Sequence, residues 1–208
     1  MSHLGPSTAI VARAVDFALD LLQGAGIAAA IGIRPFLPVL LAGALASANV
    51  GLDFDGTGFA FLESWPFLLG VLVLVALMDF AQRRSADLEA GPFGWLLLAV
   101  AVALGALQGA GSLADHDHPV AAGIVAGAAA AALGFFAARS LFGRVRRRLD
   151  PEAQGALPVY GEGAALAAAG LSILFPPLAI LVLAGLAWLL VGGRRRAGEK
   201  YAGLRILR

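Results

Sequence analysis

Charged side chains inside long apolar runs are the residues of this sequence whose chemistry is most informative. Asp20, Arg34 and Glu162 each lie within or at the edge of a stretch that is otherwise apolar. A charge in hydrocarbon costs at least ~2.5 kcal/mol at the centre of a helix on insertion scales, so such residues usually face a protein interior or a water-filled cavity. There they could bind an ion, exchange a proton or pair with one another.

The most specific local pattern is GIRPFLP at residues 32–38. Gly32 lets the chain turn, and Pro35 can begin a helix at its first position. The free N–H groups of that helix and the guanidinium of Arg34 would together bind an anion, such as a carboxylate or a lipid phosphate. We therefore predict Gly32, Arg34 and Pro35 as substrate-binding residues. The alternative is that Arg34 only anchors the chain to lipid phosphates at the membrane surface.

Acids at helical spacing are candidates for substrate binding and proton coupling. Arg13, Asp16 and Asp20 lie at i, i+3 and i+7, so they share one stripe of a helix. We predict that Asp20 and Glu162 belong to the substrate site and exchange protons, with Asp16 as a further proton-coupling candidate. The other interpretation of Arg13 and Asp16 is an ion pair that serves folding alone.

The predicted intramolecular partner of Arg34 is an acid, and the candidates are Asp20, Asp79 and Glu162. For Asp79, which ends an apolar segment near Arg83 and Arg84, the alternative is a capping or interfacial role.

Residue types that hold metals or perform catalysis are scarce in this chain. Asp115, His116, Asp117 and His118 could bind a metal by type, but four consecutive residues cannot easily all point at one ion. We interpret them as a polar turn and predict no metal site. The absence of cysteine excludes disulfides and thiolate ligands. No P-loop, nucleophile elbow or dinucleotide fingerprint is present, so we predict neither enzyme activity nor a cofactor.

The composition requires membrane helices to position these residues. Of 208 residues, 60% are hydrophobic and only 14% are charged, against about 25% charged in a soluble domain. The mean hydropathy of +0.84 also excludes a disordered chain. We predict an all-α polytopic membrane protein with one transmembrane domain over residues 1–193 and a basic tail over residues 194–208. The Ala, Gly, Leu and Arg richness is typical of a bacterial gene.

About seven helical segments follow from the apolar runs, since roughly 20 apolar residues cross a bilayer. They are residues 9–33, 35–50, 65–81, 92–114, 119–142, 158–175 and 177–193. Pro35 and the pair Pro176-Pro177 break the first and last pairs of segments into hairpins.

Arginine-rich loops predict the orientation. Basic residues concentrate after the third, fifth and seventh segments, so the positive-inside rule makes those loops and the C-terminus cytoplasmic in a bacterial inner membrane. The runs at residues 144–148 and 194–196 are predicted to contact anionic lipid headgroups. No nucleic-acid partner is predicted.

An internal repeat is indicated by a shift of 142 positions, which places Asp20 on Glu162 and Pro35 on Pro177. Five segments separate the equivalent elements, and because that number is odd the two copies would lie in opposite orientations. Inverted-topology repeats are typical of transporters whose sites form between discontinuous helices. The alternative is a chance match in a chain rich in alanine, glycine and leucine.

Two small-residue motifs predict close helix approach. Gly105 and Gly109 share one face of the fourth segment, and Gly123 and Gly127 share one face of the fifth. Such faces let helix backbones touch, either within one chain or between two copies in a homodimer.

Residues 26–38 resemble the opening of a family of small bacterial membrane proteins known as domain of unknown function 4126. Its members carry a glycine–x–arginine–x–phenylalanine–x–proline hairpin, and residues 59–66 and 158–162 are similar to two later segments of the family. The chain departs from the family after Asp79, where residues 82–87 replace a basic–x–proline–x–x–acid pattern. The resemblance implies a membrane architecture and no particular activity.

These patterns favour a small membrane channel or secondary transporter for an anion or a proton-coupled small solute. Its site would lie between the two broken-helix hairpins. One alternative is a lipid-handling protein, either scramblase-like or headgroup-binding. The other is a non-transporting membrane scaffold whose internal charges are structural ion pairs.

Overall fold

Helices account for most of the chain in the computed structural model, which describes residues 6–84 and 91–202. The helices are α1 (Pro6–Ile33), α2 (Phe36–Ala46), α3 (Trp65–Arg84), α4 (Pro92–Ala114), α5 (Val120–Arg146), a short α6 (Pro151–Gln154), α7 (Leu157–Leu174) and α8 (Ala179–Ala202). Single 3-10 turns lie at Ala60–Glu63 and Pro176–Leu178. Within the described ranges there is no strand, and the prediction of an all-helical fold is confirmed.

Five helices of the described chain are long and apolar enough to cross a membrane. They are Ile10–Ile33, Pro92–Ala114, Val120–Arg146, Glu152–Leu174 and Pro176–Gly193. Apolar helices of 10–17 residues cover Phe36–Ala46 and Trp65–Ala81. This is the architecture of a membrane-embedded protein.

Two segment boundaries differ from those expected. With 11 residues, α2 rises only about 16 Å and stops short of residue 50. At the other end of the chain, α8 continues to Ala202, so most of the predicted tail over residues 194–208 is helical. Residues 203–208 of that tail, and residues 85–87 of the segment compared with the family, lie outside the described residues.

Helices α1 and α7 run in opposite directions through the bundle. The side-chain amide of Gln23 in α1 donates to the carbonyl oxygens of Gly51 (2.6 Å) and Ile173 (3.0 Å), so the end of α7 lies level with Gln23. Near the start of α7, a methyl group on Gly161 would lie 3.1 Å from Nε of Arg34. We call these two levels the Asp20 end and the Arg34 end of the bundle.

The proline breaks therefore lie at opposite ends. Pro35 interrupts the chain at the Arg34 end, and the break before Pro176 follows the end of α7 at the Asp20 end. The inverted repeat itself stays a prediction.

Small residues let α4 and α5 pack with their backbones in contact. A Cβ atom on Gly109 would overlap the carbonyl oxygen of Gly123, and one on Gly127 would overlap the carbonyl oxygen of Gly105. Both small-residue motifs of the sequence thus face each other within one chain. A homodimer stays a prediction.

The central helix is α1, which is buried along its second half. Ala28, Ala29 and Ala30 have no exposed surface. A Cβ atom on Gly32 would overlap the carbonyl oxygen of Ala131, and one on Gly134 would overlap the carbonyl oxygen of Ala29. The close approach of α1 and α5 fixes their register, which in turn positions Arg34 relative to α5.

Residues 47–64, between α2 and α3, fold inward at the Asp20 end, and we call them the cap. The side chains of Phe54 and Leu62 are fully buried, and Leu52 is nearly so. The Phe54 ring packs on α4, where a Cβ atom on Gly111 would lie 2.8 Å from ring atom Cε1. Packing of these three side chains closes this part of the Asp20 end with apolar surface.

Candidate functional site

An open pocket lies at the Arg34 end, where the chain passes from α1 to α2. Its cavity volume is about 60 Å³. Its charged lining residues are Arg34, Asp79, Arg139 and Glu162. Its other lining residues are Gly32, Ile33, Pro35, Phe36, Leu37, Val75, Met78, Leu97, Phe135, Ala138 and Phe142.

The break that forms one wall of the pocket follows from Pro35. The N–H of Arg34 still bonds to the carbonyl oxygen of Ala30 (3.1 Å), but the proline ring cannot continue the helix. The chain restarts as α2 at Phe36, with no side-chain hydrogen bond capping the new N-terminus. Arg34 is thereby held at the junction of two helices, half-buried and facing the pocket.

Both arginines of the pocket lie over phenylalanine rings. The guanidinium carbon of Arg34 is 5.9 Å from the centroid of Phe142, and that of Arg139 is 6.0 Å from the centroid of Phe135. At this distance the ring face attracts the cation and limits its orientations. Gly161 leaves room for this arrangement, since a methyl group there would lie 3.0 Å from Phe142 and 3.1 Å from Arg34.

The pocket combines opposite charges with an apolar wall. Guanidinium groups donate paired hydrogen bonds to carboxylate and phosphate oxygens. Asp79 and Glu162 can accept hydrogen bonds or a proton, and the aliphatic side chains of Val75, Met78 and Leu97 can cover a hydrocarbon portion. The arrangement suits an anion that carries an apolar part.

A second polar cluster surrounds Asp20, near the other end of α1. Its Oδ2 atom lies 3.4 Å from Nδ1 of His116 and 3.3 Å from Nε2 of His118. The ring of Phe17 packs edge-on against His118 at 5.3 Å between centroids. Asp20 itself is only 8% exposed. The turn after α4 therefore supplies two imidazoles to a buried carboxylate of α1.

Asp115 links this cluster to the cap. Its Oδ2 atom lies 3.7 Å from Nδ1 of His116 and accepts the N–H of Asp53 at 3.3 Å. Burial raises the pKa of Asp115, against the opposing effects of His116 and of the Asp53 N–H.

The structure separates the sequence-predicted site residues into two groups. Gly32, Arg34, Pro35 and Glu162 line one pocket. Asp20 lies fourteen residues from Arg34 along α1, or about 21 Å away.

Three other residues from the sequence analysis also have definite places. Arg13 and Asp16 are exposed on the first half of α1. Asp79, for which the sequence suggests either pairing with Arg34 or a helix-capping or interfacial role, lines the Arg34 pocket.

Sequence reasoning missed the α5 wall of the pocket. The sequence patterns single out none of Arg139, Phe135 and Phe142 as a site residue. The signal was present: positions 135, 139 and 142 are spaced i, i+4 and i+7, which places all three on one helix face. The histidines of the 115–118 turn were likewise interpreted only as a polar loop.

One group of acids in the described residues has carboxylate oxygens close enough to hold a metal ion. These oxygens, on Asp53, Asp55 and Glu63 of the cap, lie within 4.8 Å of one another. Glu63 also accepts the N–H of Phe54 at 3.3 Å. Asp20, His116 and His118 do not form such a group.

The cap acids predict a pH-dependent stability. Burial raises the pKa of Glu63, and repulsion from Asp55 and Asp53 raises it further. The hydrogen bond from the Phe54 N–H opposes this by lowering the pKa. Because the pKa of Glu63 is higher in the folded than in the unfolded chain, folding favours the protonated carboxyl group. The stability that this preference contributes is fully present at low pH and is lost as the pH rises above about 4.3. We expect Glu63→Gln to raise the melting temperature at pH 7 and to flatten its pH dependence between about pH 4 and 7. An unchanged or lower melting temperature at pH 7 would refute this.

Comparison with known proteins adds no relative: no family model, no curated protein and no solved structure matches this chain. The resemblance of residues 26–38 to domain of unknown function 4126 stays an expectation of the sequence.

Proposed function

We propose that this protein is a small secondary transporter that binds an organic anion in the pocket at the Arg34 end. The observation that carries the proposal is a pair of arginines, Arg34 at the α1–α2 junction and Arg139 on α5, each placed over a phenylalanine ring in one pocket. A membrane protein that positions two guanidiniums beside an apolar wall has the chemistry to recognise a carboxylate or phosphate with a hydrocarbon part.

The apolar wall favours an organic anion over a halide. Each methylene group that a ligand buries against Val75, Met78 and Leu97 contributes about 0.8 kcal/mol, while a halide gains nothing from that wall. We therefore expect affinity to rise with chain length in a series of carboxylates.

Unequal ends of the bundle favour transport over a scaffold. The pocket is open at the Arg34 end, whereas Phe54 and Leu62 of the cap are fully buried at the Asp20 end. A site accessible from one side is the arrangement that alternating access requires. With the Arg34 end cytoplasmic, as the positive-inside rule predicts, this conformation faces inward.

Lipid handling is the second candidate, and the same apolar lining favours it. A phospholipid could place its phosphate at Arg34 and one acyl chain along Val75 and Met78. The distinction between the two candidates is whether the ligand crosses as a dissolved solute or stays anchored in a leaflet.

Flux through proteoliposomes tests the proposal. We would screen halides, phosphate, carboxylates of increasing chain length and fluorescent phospholipids against the purified protein. Saturable flux of an organic anion, with affinity rising along the carboxylate series, is expected. Lipid that equilibrates between leaflets without solute flux would favour lipid handling instead. Silence across the panel from well-folded protein would contradict both.

Gly161→Ala tests how the pocket is built. The added methyl group would lie 3.0 Å from Phe142 and 3.1 Å from Arg34, so the stacked ring and guanidinium must give way by a few tenths of an ångström. We expect anion affinity to fall several-fold with the melting temperature little changed. Gly163→Ala is the matched control, because no atom lies within 4 Å of a Cβ atom at that position of the same helix. Equal affinities in the two variants would refute the positioning role of Gly161.

A further inference from the structure

Three buried polar side chains follow one another between α1 and α4, and the Arg34 pocket uses none of them. Asp20 is 8% exposed, and Ser112 and Gln108 have no exposed surface. Ser112 and Gln108 are one turn apart on α4, so they lie on one face of it. Gly24, one turn after Asp20 on α1, lies directly against Ser112: a Cβ atom there would be 3.2 Å from the Ser112 hydroxyl oxygen. We call Asp20, Ser112 and Gln108 the polar row.

Ser112 and Gln108, the inner members of the polar row, have side-chain atoms without a hydrogen-bond partner among the described residues. These atoms are the Ser112 hydroxyl oxygen and both amide atoms of Gln108. Other buried polar groups nearby are satisfied. The Ser172 hydroxyl donates to the carbonyl oxygen of Ala168 at 2.7 Å, and the Gln23 amide donates to two carbonyl oxygens. Buried polar atoms without a protein partner indicate bound water or an ion.

The row meets solvent at Asp20. The charged and titratable groups that face its carboxylate are His116 and His118 from the α4–α5 turn, Asp115 from the end of α4, and Asp16 from α1 itself. The His116 side chain is 56% exposed, so one of the imidazoles that contacts Asp20 is open to water.

We propose that the polar row is a hydrated cleft that admits water, and with it protons, from the Asp20 end to the middle of the bundle. Water passes His116, hydrates the Asp20 carboxylate and binds the Ser112 hydroxyl and the Gln108 amide. The cleft ends there, because α4 continues with the apolar residues Leu104 and Ala101 toward the Arg34 pocket. The proposal does not depend on the identity of the transported solute.

Single cysteines test this directly, since the chain contains none. Ser112→Cys and Ser172→Cys are matched, because both serines are fully buried and differ in whether protein satisfies their hydroxyl. Each variant in lipid nanodiscs would be exposed to Ag⁺, a water-borne ion that binds thiols, then denatured and labelled with a maleimide. We expect Ag⁺ to protect Cys at position 112 at least tenfold faster than Cys at position 172.

Equal rates at the two positions, whether slow or fast, would overturn the proposal. A second pair on α4 decides the matter if Ser112→Cys does not fold. Gln108→Cys should be protected rapidly and Leu113→Cys slowly, although both native side chains are fully buried. Slow protection at position 108 would equally overturn the cleft.

Discussion

Replacing Arg34 by glutamine is expected to weaken binding of the organic anion by about ten- to hundredfold while the fold persists. A hydrogen bond to a charged group contributes about 1.5–3 kcal/mol, and each 1.4 kcal/mol corresponds to a factor of ten in affinity. Glutamine keeps most of the apolar stem and a donor, and Arg34 is only half-buried, so little folding stability should be lost. Ligand-induced shifts in melting temperature or calorimetric titration would measure the change.

Two companion variants separate the Arg34 site from a general loss of positive charge. Arg147→Gln removes an exposed arginine at the C-terminal end of α5 that does not line the pocket, and its binding should match the wild type. Arg34→Lys keeps the charge but loses the planar fork, so it should fall between the wild type and Arg34→Gln. If Arg147→Gln loses as much affinity as Arg34→Gln, the pocket assignment is wrong.

Replacing Gly134 by valine is expected to prevent the chain from accumulating as folded protein. A Cβ atom at position 134 would overlap the carbonyl oxygen of Ala29, a backbone atom that cannot rotate away. Overpacking of a tight core usually costs 1–3 kcal/mol, and a clash between two backbones should cost more than about 3 kcal/mol. Against a typical total stability of about 5–15 kcal/mol, this loss is large. The yield of monodisperse protein and its melting temperature are the measurements.

Gly143→Val provides the control on the same helix. No atom lies within 4 Å of a Cβ atom at position 143, so its melting temperature should stay within a few degrees of the wild type. A Gly134→Val protein that melts like the wild type would show that α1 and α5 are not in backbone contact.

The helix breaks were predictable because they follow from local stereochemistry. A proline inside an apolar helical run kinks or ends the helix. The chain breaks at both Pro35 and Pro176. The length of α2 was not predictable in the same way. Residues up to Val50 continue the apolar pattern, but the chain turns at Asn49, whose φ is +53°, and folds into the cap. Tertiary burial of Phe54 replaces the helical turns that the pattern alone indicates.

The contiguous part of the pocket was predictable, and the remainder depends on helix register. Gly32, Arg34 and Pro35 are adjacent in sequence, so their chemistry could be inferred together. Arg139 and Phe142 join them only because α1 and α5 pack in the register set by their close backbone contacts.

The meeting of Asp20 with His116 likewise depends on register. The two residues lie 96 positions apart in the chain. They meet because α1 and α4 pack closely at Gly24 and Gly109. A Cβ atom on Gly24 would lie only 2.9 Å from the Cα atom of Gly109. No periodicity in the sequence contains that information.

Uptake of the favoured organic anion into proteoliposomes that hold equal amounts of wild type or Arg34→Gln tests the central claim most directly. We predict saturable uptake by the wild type and, at subsaturating concentration, at least tenfold slower uptake by the variant. Equal uptake by the two proteins, or none by correctly folded wild type, would contradict transport through the Arg34 pocket.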